Sequence, residues 1–135
     1  MSPGARASAA IEILDQQFLG NPDNKIILNW FRRNRFAGSK DRLAIKDLVY
    51  NSLRYKRSSF WPFKQAGMSL SARVVVIGVL KISGTCLDDI FDGKKYSPQK
   101  LSEKEKAVIE TFDDTLSEAP ISVQLNFPKF LEKNI

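Results

Sequence analysis

The feature that most constrains the fold is a run of seven apolar residues at positions 74–80, VVVIGVL. The run is far shorter than the roughly 20 residues that a membrane-spanning helix needs. Its β-branched residues also suit a strand, but the neighbouring segments have helical spacing and no second strand is visible to pair with it. We therefore predict a central helix that Ser69 caps, that runs to about Ile82 and that Gly84 ends.

Three further helices are predicted before this run, at about residues 3–19, 24–35 and 39–57. Ser2 and Pro3 suit the N-cap and the first helical position of the first helix. Ser39 can cap the third and longest helix. Residues 58–68 are predicted as a break, because Pro62 disfavours helical geometry at the residue before it.

The C-terminal part is predicted to hold a short turn of helix near residues 87–91, a polar linker and one clear helix. Ser102 and Glu105 form a capping box for that helix, which should run to about Ser117. The predicted fold is an all-α bundle of about five or six helices with an extended C-terminal arm. We predict a helical domain at residues 1–92 and a linker, helix and arm at 93–135.

Residue types exclude several kinds of chemistry. The 135 residues include no histidine, which removes Ser–His and Cys–His nucleophilic machinery and histidine-based zinc sites. Cys86 is the only cysteine, which fits a reducing, cytoplasmic compartment, and we predict it as a small core residue. Asp88, Asp89 and Asp92 are acidic enough for a hard cation but are expected to face solvent. We expect no catalytic, cofactor or metal site in this chain.

Positive charge is concentrated in one stretch. The net charge is +6, yet residues 25–64 hold eleven Lys or Arg against two Asp, for +9. The flanking segments, 1–24 and 65–135, carry −2 and −1. Such a stretch suits a polyanion, with RNA or DNA as the default candidate.

The predicted third helix has two faces. At about 100° per residue, one face holds Ile45, Leu48, Val49 and Leu53. A basic face centred well away from it holds Arg42, Lys46, Tyr50, Arg54 and Arg57. Arginines can bind phosphates through two hydrogen bonds, and Tyr50 can stack on an unpaired base. Leu43 interrupts the basic face, and a merely solvated, solubilising face is the alternative interpretation.

The turn before that helix adds cations and a helix N-terminus. Free backbone N–H groups and the helix dipole at Ser39 and Lys40 favour a phosphate, although Asp41 can satisfy those donors itself. The predicted RNA-binding residues are Arg32, Arg33, Arg35, Ser39, Lys40, Arg42, Lys46, Tyr50, Arg54 and Arg57.

The segment SKDRLAIKDLVYNSLRYKRS at positions 39–58 resembles the signature stretch of NusB-like domains. The opening PGARASAAIEILDQ, the FAGSKDR turn and the later SPQKLSEKE are similar to alphaproteobacterial members of the RsmB/NOP (Fmu/Sun) family of ribosomal RNA cytosine-5 methyltransferases. The resemblance covers nearly the whole chain and is densest over residues 3–57. The FWPF segment at positions 60–63 departs from it.

The resemblance implies an N-terminal, NusB-like, RNA-binding domain. In that family a Rossmann-like domain follows, which binds S-adenosylmethionine and attacks C6 of cytosine with a cysteine. By the same comparison, FPKFLEKNI at the end of the chain is similar to the approach to that domain. This chain ends before any cofactor loop or Pro-Cys motif, so only RNA-facing positions such as Arg42 and Arg54 carry over.

The resulting expectation is a domain that binds RNA, ribosomal RNA by the resemblance, for a methyltransferase domain outside this chain. Two alternatives remain: a stand-alone NusB-type antitermination factor, and a protein-interaction domain whose basic face docks an acidic partner.

Overall fold

The structure is a computed structural model that describes residues 1–19 and 24–124, and within them all regular secondary structure is helical. This confirms the predicted all-α class. The described residues form eight α-helices and a short 3-10 helix, Leu87–Asp89. The α-helices are α1 (Pro3–Leu19), α2 (Asn24–Arg33), α3 (Ser39–Arg54), α4 (Lys56–Gln65), α5 (Ala72–Ile82), α6 (Glu103–Glu110), α7 (Phe112–Ser117) and α8 (Ile121–Gln124).

Helix α5 is the centre of the bundle, as its apolar sequence predicts. It packs against α1, α3 and α4, and Val75, Val76 and Ile77 are completely buried. α4 approaches so closely that a Cβ atom at Gly78 would overlap the backbone carbonyl of Ser59. Glycine at this position is therefore what allows the two helices to pack at their observed separation.

Both ends of α5 follow from local sequence. The N-cap is Ser71 rather than the predicted Ser69, and its Oγ accepts a hydrogen bond from the Val74 N–H at 3.3 Å. At the other end Gly84 has φ +78, and the N–H groups of Gly84 and Thr85 donate to the carbonyls of Lys81 and Leu80. This pair of bonds is a Schellman motif, which explains why the helix ends where glycine allows a left-handed residue.

The predicted break at residues 58–68 is wrong, because α4 (Lys56–Gln65) occupies most of it with Pro62 inside the helix. An interior proline costs about 3 kcal/mol, since it lacks an N–H and crowds the preceding turn. Here Pro62 and Phe63 are buried, and α4 also packs against α6, α7 and α8. Burial of a large apolar side chain contributes roughly 1.5–3 kcal/mol, so tertiary packing offsets the local penalty.

The predicted third helix is in fact two helices. α3 ends at Arg54, and Tyr55 adopts a non-helical conformation between α3 and α4. Arg57 therefore belongs to α4 and not to the basic face of α3. At the start of α3 the N-cap is Gly38, so Ser39 is the first helical residue rather than the cap. Within α3 the inward face is confirmed, since Ile45 and Val49 are buried and Leu48 and Leu53 are partly buried against the same core.

The capping box of the C-terminal helix is confirmed, but that helix is divided at Thr111 into α6 and α7. The Glu105 N–H donates to Ser102 Oγ at 3.1 Å, and the Ser102 N–H donates to Glu105 Oε1 at 2.8 Å. Val108, Phe112 and Leu116 are buried in the same core as α1 to α5. The predicted C-terminal arm begins with α8, which the sequence pattern did not indicate, and its residues 125–135 lie outside the described part of the chain. The domain division at residue 92 stays a prediction.

The prediction that Cys86 is a core residue is wrong, because it is an exposed free cysteine just after α5. The Schellman motif turns the chain outward here, so the apolar helix ends before Cys86 is reached. Asp88 and Asp89 are exposed, as expected. In the part of the chain that the structure describes, no helix is long and apolar enough to span a membrane.

Candidate nucleic-acid interface

Exposed arginines lie in the last turn of α2 and in the turn that follows it, and contacts with the core hold both segments in place. Trp30 and Phe31 are buried and anchor the end of α2 in the core. Asn34 Nδ2 donates to the Trp30 carbonyl at 2.8 Å, and the Ala37 N–H donates to the Asn34 carbonyl at 3.2 Å. The arginines of these two segments are all exposed: Arg32 and Arg33 in α2, and Arg35 after it.

Arg42 is the best-positioned cation of the predicted set. Its Nε donates to the Ala37 carbonyl at 3.0 Å, and its guanidinium lies 5.5 Å from the centroid of the Phe31 ring. Its two terminal nitrogens have no acceptor among the described residues. These two contacts hold the guanidinium in one orientation while leaving its outer edge for two hydrogen bonds to a phosphate.

Lys46 shares the same ring, because its Nζ lies 5.9 Å from the Phe31 centroid. Phe31 therefore holds two cations that are four residues apart on α3. Phe31 is itself buried in the core, and the sequence pattern did not indicate this second role. No local signal could have done so, since the pairing joins residues on two helices that meet only in the folded molecule.

The far end of the basic face of α3 holds Tyr50 and Arg54. Tyr50 is 47% exposed, and the Arg54 guanidinium lies 5.3 Å from the centroid of the Tyr55 ring. Arg42 and Arg54 are separated by about 18 Å along the helix axis at 1.5 Å per residue. Leu43 and Asp47 are exposed on the same helix, so the face is neither wholly basic nor wholly polar.

The N-terminus of α3 is occupied by its own acidic residue. Asp41 Oδ2 accepts the Gly38 N–H at 3.2 Å, and Asp41 Oδ1 lies 2.8 Å from the Arg6 guanidinium of α1. The hydrogen bond from Arg6 holds the pKa of Asp41 below its ordinary value. Ser39 and Lys40 are exposed beside it, and the Asp41 carboxylate places a negative charge at the helix start where the sequence predicts a phosphate.

Charge at this surface is largely uncompensated. Within residues 1–19 and 24–124, the following cations form no ion pair: Arg32, Arg33, Arg35, Lys40 and Arg42. Arg57 is exposed too, but it lies on α4, where it donates to Ser122 Oγ of α8 at 3.4 Å. We define the basic surface as the end of α2, the 34–38 turn and the outer face of α3, without Arg57.

Among the described residues no three His, Cys, Asp or Glu side chains lie close enough to hold a metal ion. A Rossmann-like domain holds its cofactor outside the carboxyl ends of the strands of a parallel sheet. The regular structure described here is helical, so these residues do not form a site of that kind for S-adenosylmethionine.

Comparison with known proteins adds no identification. No protein-family model matches the chain, and neither the curated proteins nor the solved structures include a match. The NusB-like resemblance in the sequence is therefore a proposal, which depends on the residues quoted for it.

Proposed function

We propose that this chain is an RNA-binding domain that captures structured RNA through its basic surface. The observation that carries the proposal is the arrangement of Arg42, which Phe31 and the Ala37 carbonyl fix in place while its outer nitrogens face no acceptor among the described residues. An arginine kept only for solubility gains nothing from being held, because a mobile side chain is hydrated equally well.

The exposed arginines of the turn extend that site. Arg32 and Arg33 stand in the last turn of α2 and Arg35 follows it, all without an ion-pair partner among the described residues. A phosphate backbone that crosses this turn can therefore meet several cations at once. Release of the condensed counterions then supplies most of the binding free energy.

We propose further that the domain is NusB-like and serves a ribosomal RNA cytosine-5 methyltransferase, orienting RNA for a catalytic domain that uses S-adenosylmethionine. This part rests on the sequence segments at positions 3–16, 36–58 and 97–105. The basic surface on α3 coincides with the densest part of that resemblance.

Titration of a structured RNA at two salt concentrations tests the proposal. Replacing Arg32, Arg33 and Arg35 together by Gln should weaken binding at low salt by tenfold or more. It should also reduce the slope of log K against log salt by about 0.9 for each phosphate that the variant no longer neutralises. Circular dichroism should show unchanged helix content, because all three side chains are exposed.

A matched control removes the same charge elsewhere. Lys100, Lys104 and Lys106 are exposed on and before α6, and their replacement by Gln should change RNA affinity much less. Equal reductions of affinity in the two triple variants would show that only net charge matters. No binding of any RNA at low salt would overturn the proposal and favour the protein-interaction alternative.

A further inference from the structure

Beside the basic surface lies an open cavity of about 640 Å³, within the usual size range of ligand sites. Its floor is the face of α1 that carries Ala5, Ser8 and Ala9. Phe36 and Tyr96, from two distant segments of the chain, line it together. We call it the Phe36–Tyr96 groove.

The two aromatic side chains are unusually exposed for their size. Phe36 is 71% exposed and Tyr96 is 74% exposed, whereas the other large apolar side chains that are exposed here are mostly aliphatic. Exposed aromatic rings that share one cavity are the common element of sites that bind single-stranded nucleic acid, because every base has a face that can stack. The small side chains of the floor leave room for a flat ligand between the walls.

Tyr96 is held in its position at an energetic cost. Its φ is +69, and among the described residues it is the only one other than glycine with a positive φ. A bulky residue in this conformation is strained by about 1–3 kcal/mol, and such strain clusters at ligand clamps. Lys95 places its Nζ 5.1 Å from the Tyr96 ring centroid, so a cation also stands at this wall.

Polar groups at the groove offer both acceptors and donors to a base. Glu12 lines the groove and has no ion-pair partner among the described residues. Trp30 also lines it, and its indole Nε1 is a buried donor without a hydrogen-bond partner among the described residues. Every base carries donors or acceptors on its edges, so these groups can bind a base without selecting one of the four.

The groove is continuous with the basic surface. Phe36 stands between Arg35 and Ala37, whose carbonyl accepts the hydrogen bond from Arg42. Asn34 and Phe36 of the 34–38 turn line the groove, so an RNA bound at this turn can place an unpaired base there.

We propose that the Phe36–Tyr96 groove binds one unpaired base of the RNA that the basic surface holds. The proposal rests on the proposed function, because it assumes that the RNA is positioned by those arginines. It adds that the domain distinguishes RNA with an unpaired base from a continuous duplex.

The test uses two RNA hairpins that are closed by the same non-nucleotide linker, so that neither has unpaired loop bases; one is fully paired and the other carries a single bulged adenine. The protein should bind the bulged hairpin about tenfold more tightly, as expected for one base stacked on aromatic side chains. Tyr96→Ala should remove that difference and leave binding of the paired hairpin unchanged, because Tyr96 lies outside the basic surface. Phe36→Ala should also remove the difference, and Tyr96→Phe should keep it.

Leu70→Ala, at an exposed apolar residue in the loop before α5, is the control for removal of exposed apolar area. Unchanged discrimination in both alanine variants, or equal binding of the two hairpins by the unmodified protein, would overturn the groove while leaving the basic surface intact. If neither hairpin binds, titration with adenosine monophosphate decides the matter. Trp30 lines the groove, so in a Trp61→Phe background its fluorescence should change on binding, and no saturable change would overturn the groove independently.

Discussion

Two arginines of this protein lie over phenylalanine rings and have opposite roles. Arg42 lies 5.5 Å from the Phe31 centroid, and Arg73 lies 4.9 Å from the Phe91 centroid. Arg73 also bonds both carboxylate oxygens of Glu105 and two backbone carbonyls, whereas Arg42 bonds one carbonyl. The stacking contact of Arg73 is therefore one of several contacts that hold two segments of the fold together. The stacking contact of Arg42 instead holds a cation that faces solvent.

The comparison shows how to separate structural from functional cations when both are fixed. Arg73 holds the segment before α6 against α5, since its acceptors are Gln99, Lys100 and Glu105. Its positive charge is matched by a buried carboxylate. Arg42 has no such match among the described residues, so its charge is directed outward.

The largest expected effect is disruption of the Arg73 link. Arg73→Ala leaves Glu105, which is 5% exposed, as a buried carboxylate without its counterion. The free energy of unfolding should fall by about 3–5 kcal/mol, the usual result of removing one partner of a buried pair. Urea denaturation measures it, and RNA affinity of the folded fraction should be unchanged. A decrease below about 1 kcal/mol would mean that Arg73 behaves like a surface cation.

Acidification should weaken the interaction between Arg73 and Glu105, because it protonates the Glu105 carboxylate. Burial alone would raise the pKa of Glu105, but hydrogen bonds from Arg73 and from the Ser102 N–H outweigh it and lower the pKa below its ordinary 4.5. A lowered pKa in the folded state stabilises the protein above the unfolded-state value, and this stabilisation is lost as pH falls through the folded-state value. Stability should therefore decrease below about pH 4.5.

Comparison with Glu105→Gln isolates that contribution. Asp41 also has a lowered pKa, and it loses its stabilising charge in the same acid range in both proteins. The variant should be less stable than the unmodified protein at neutral pH and should lose less stability on acidification. Parallel pH profiles from urea denaturation would contradict the assigned role of Glu105.

Arg42→Ala should lower RNA affinity and leave stability almost unchanged, the reverse of the result expected for Arg73→Ala. The free energy of unfolding should change by less than about 1 kcal/mol, because the side chain is exposed and unpaired. RNA affinity should fall by about tenfold, and the salt slope should decrease by about 1 for one phosphate contact. Lys104→Ala, which removes an exposed cation on α6, serves as the control. An unchanged salt slope in Arg42→Ala would exclude Arg42 from phosphate binding.

Periodicity predicted most of the helical parts of this chain, because it depends on residues close in sequence, whereas the predicted caps Ser39 and Ser69 each differ from the observed N-cap. The inward face of α3 and the Ser102–Glu105 capping box were predicted correctly. Errors occurred where tertiary contacts decided the outcome. Pro62 is tolerated because α4 is packed on several sides, a fact that no local pattern contains.

The candidate site could be predicted from the sequence where local charge decided the outcome, but not where contacts between distant segments did. Local charge identified Arg32, Arg33, Arg35 and Arg42 as exposed cations, and they are. The helical angles placed Arg57 on the wrong helix, because Tyr55 interrupts the helix without proline or glycine as a signal. The role of Phe31 beneath two cations and the pairing of Phe36 with Tyr96 both join distant segments, so they required the folded structure.

The smallest expected effect comes from replacing the phenylalanine rings that contact the two arginines, Phe31 at Arg42 and Phe91 at Arg73. Phe31→Leu keeps an apolar side chain beneath Arg42 and Lys46 but removes the π face that attracts them. An exposed cation–π contact contributes about 0.5–1 kcal/mol, so RNA affinity should fall by roughly two- to fivefold. The salt slope should stay the same, because the same phosphates are bound by less ordered cations. Phe91→Leu is the matched change beneath Arg73, and it should lower stability without changing RNA affinity. Equal effects of the two substitutions on RNA affinity would mean that the Phe31 ring does not position cations for RNA, and the distinction between Arg42 and Arg73 would then rest on ion pairing alone.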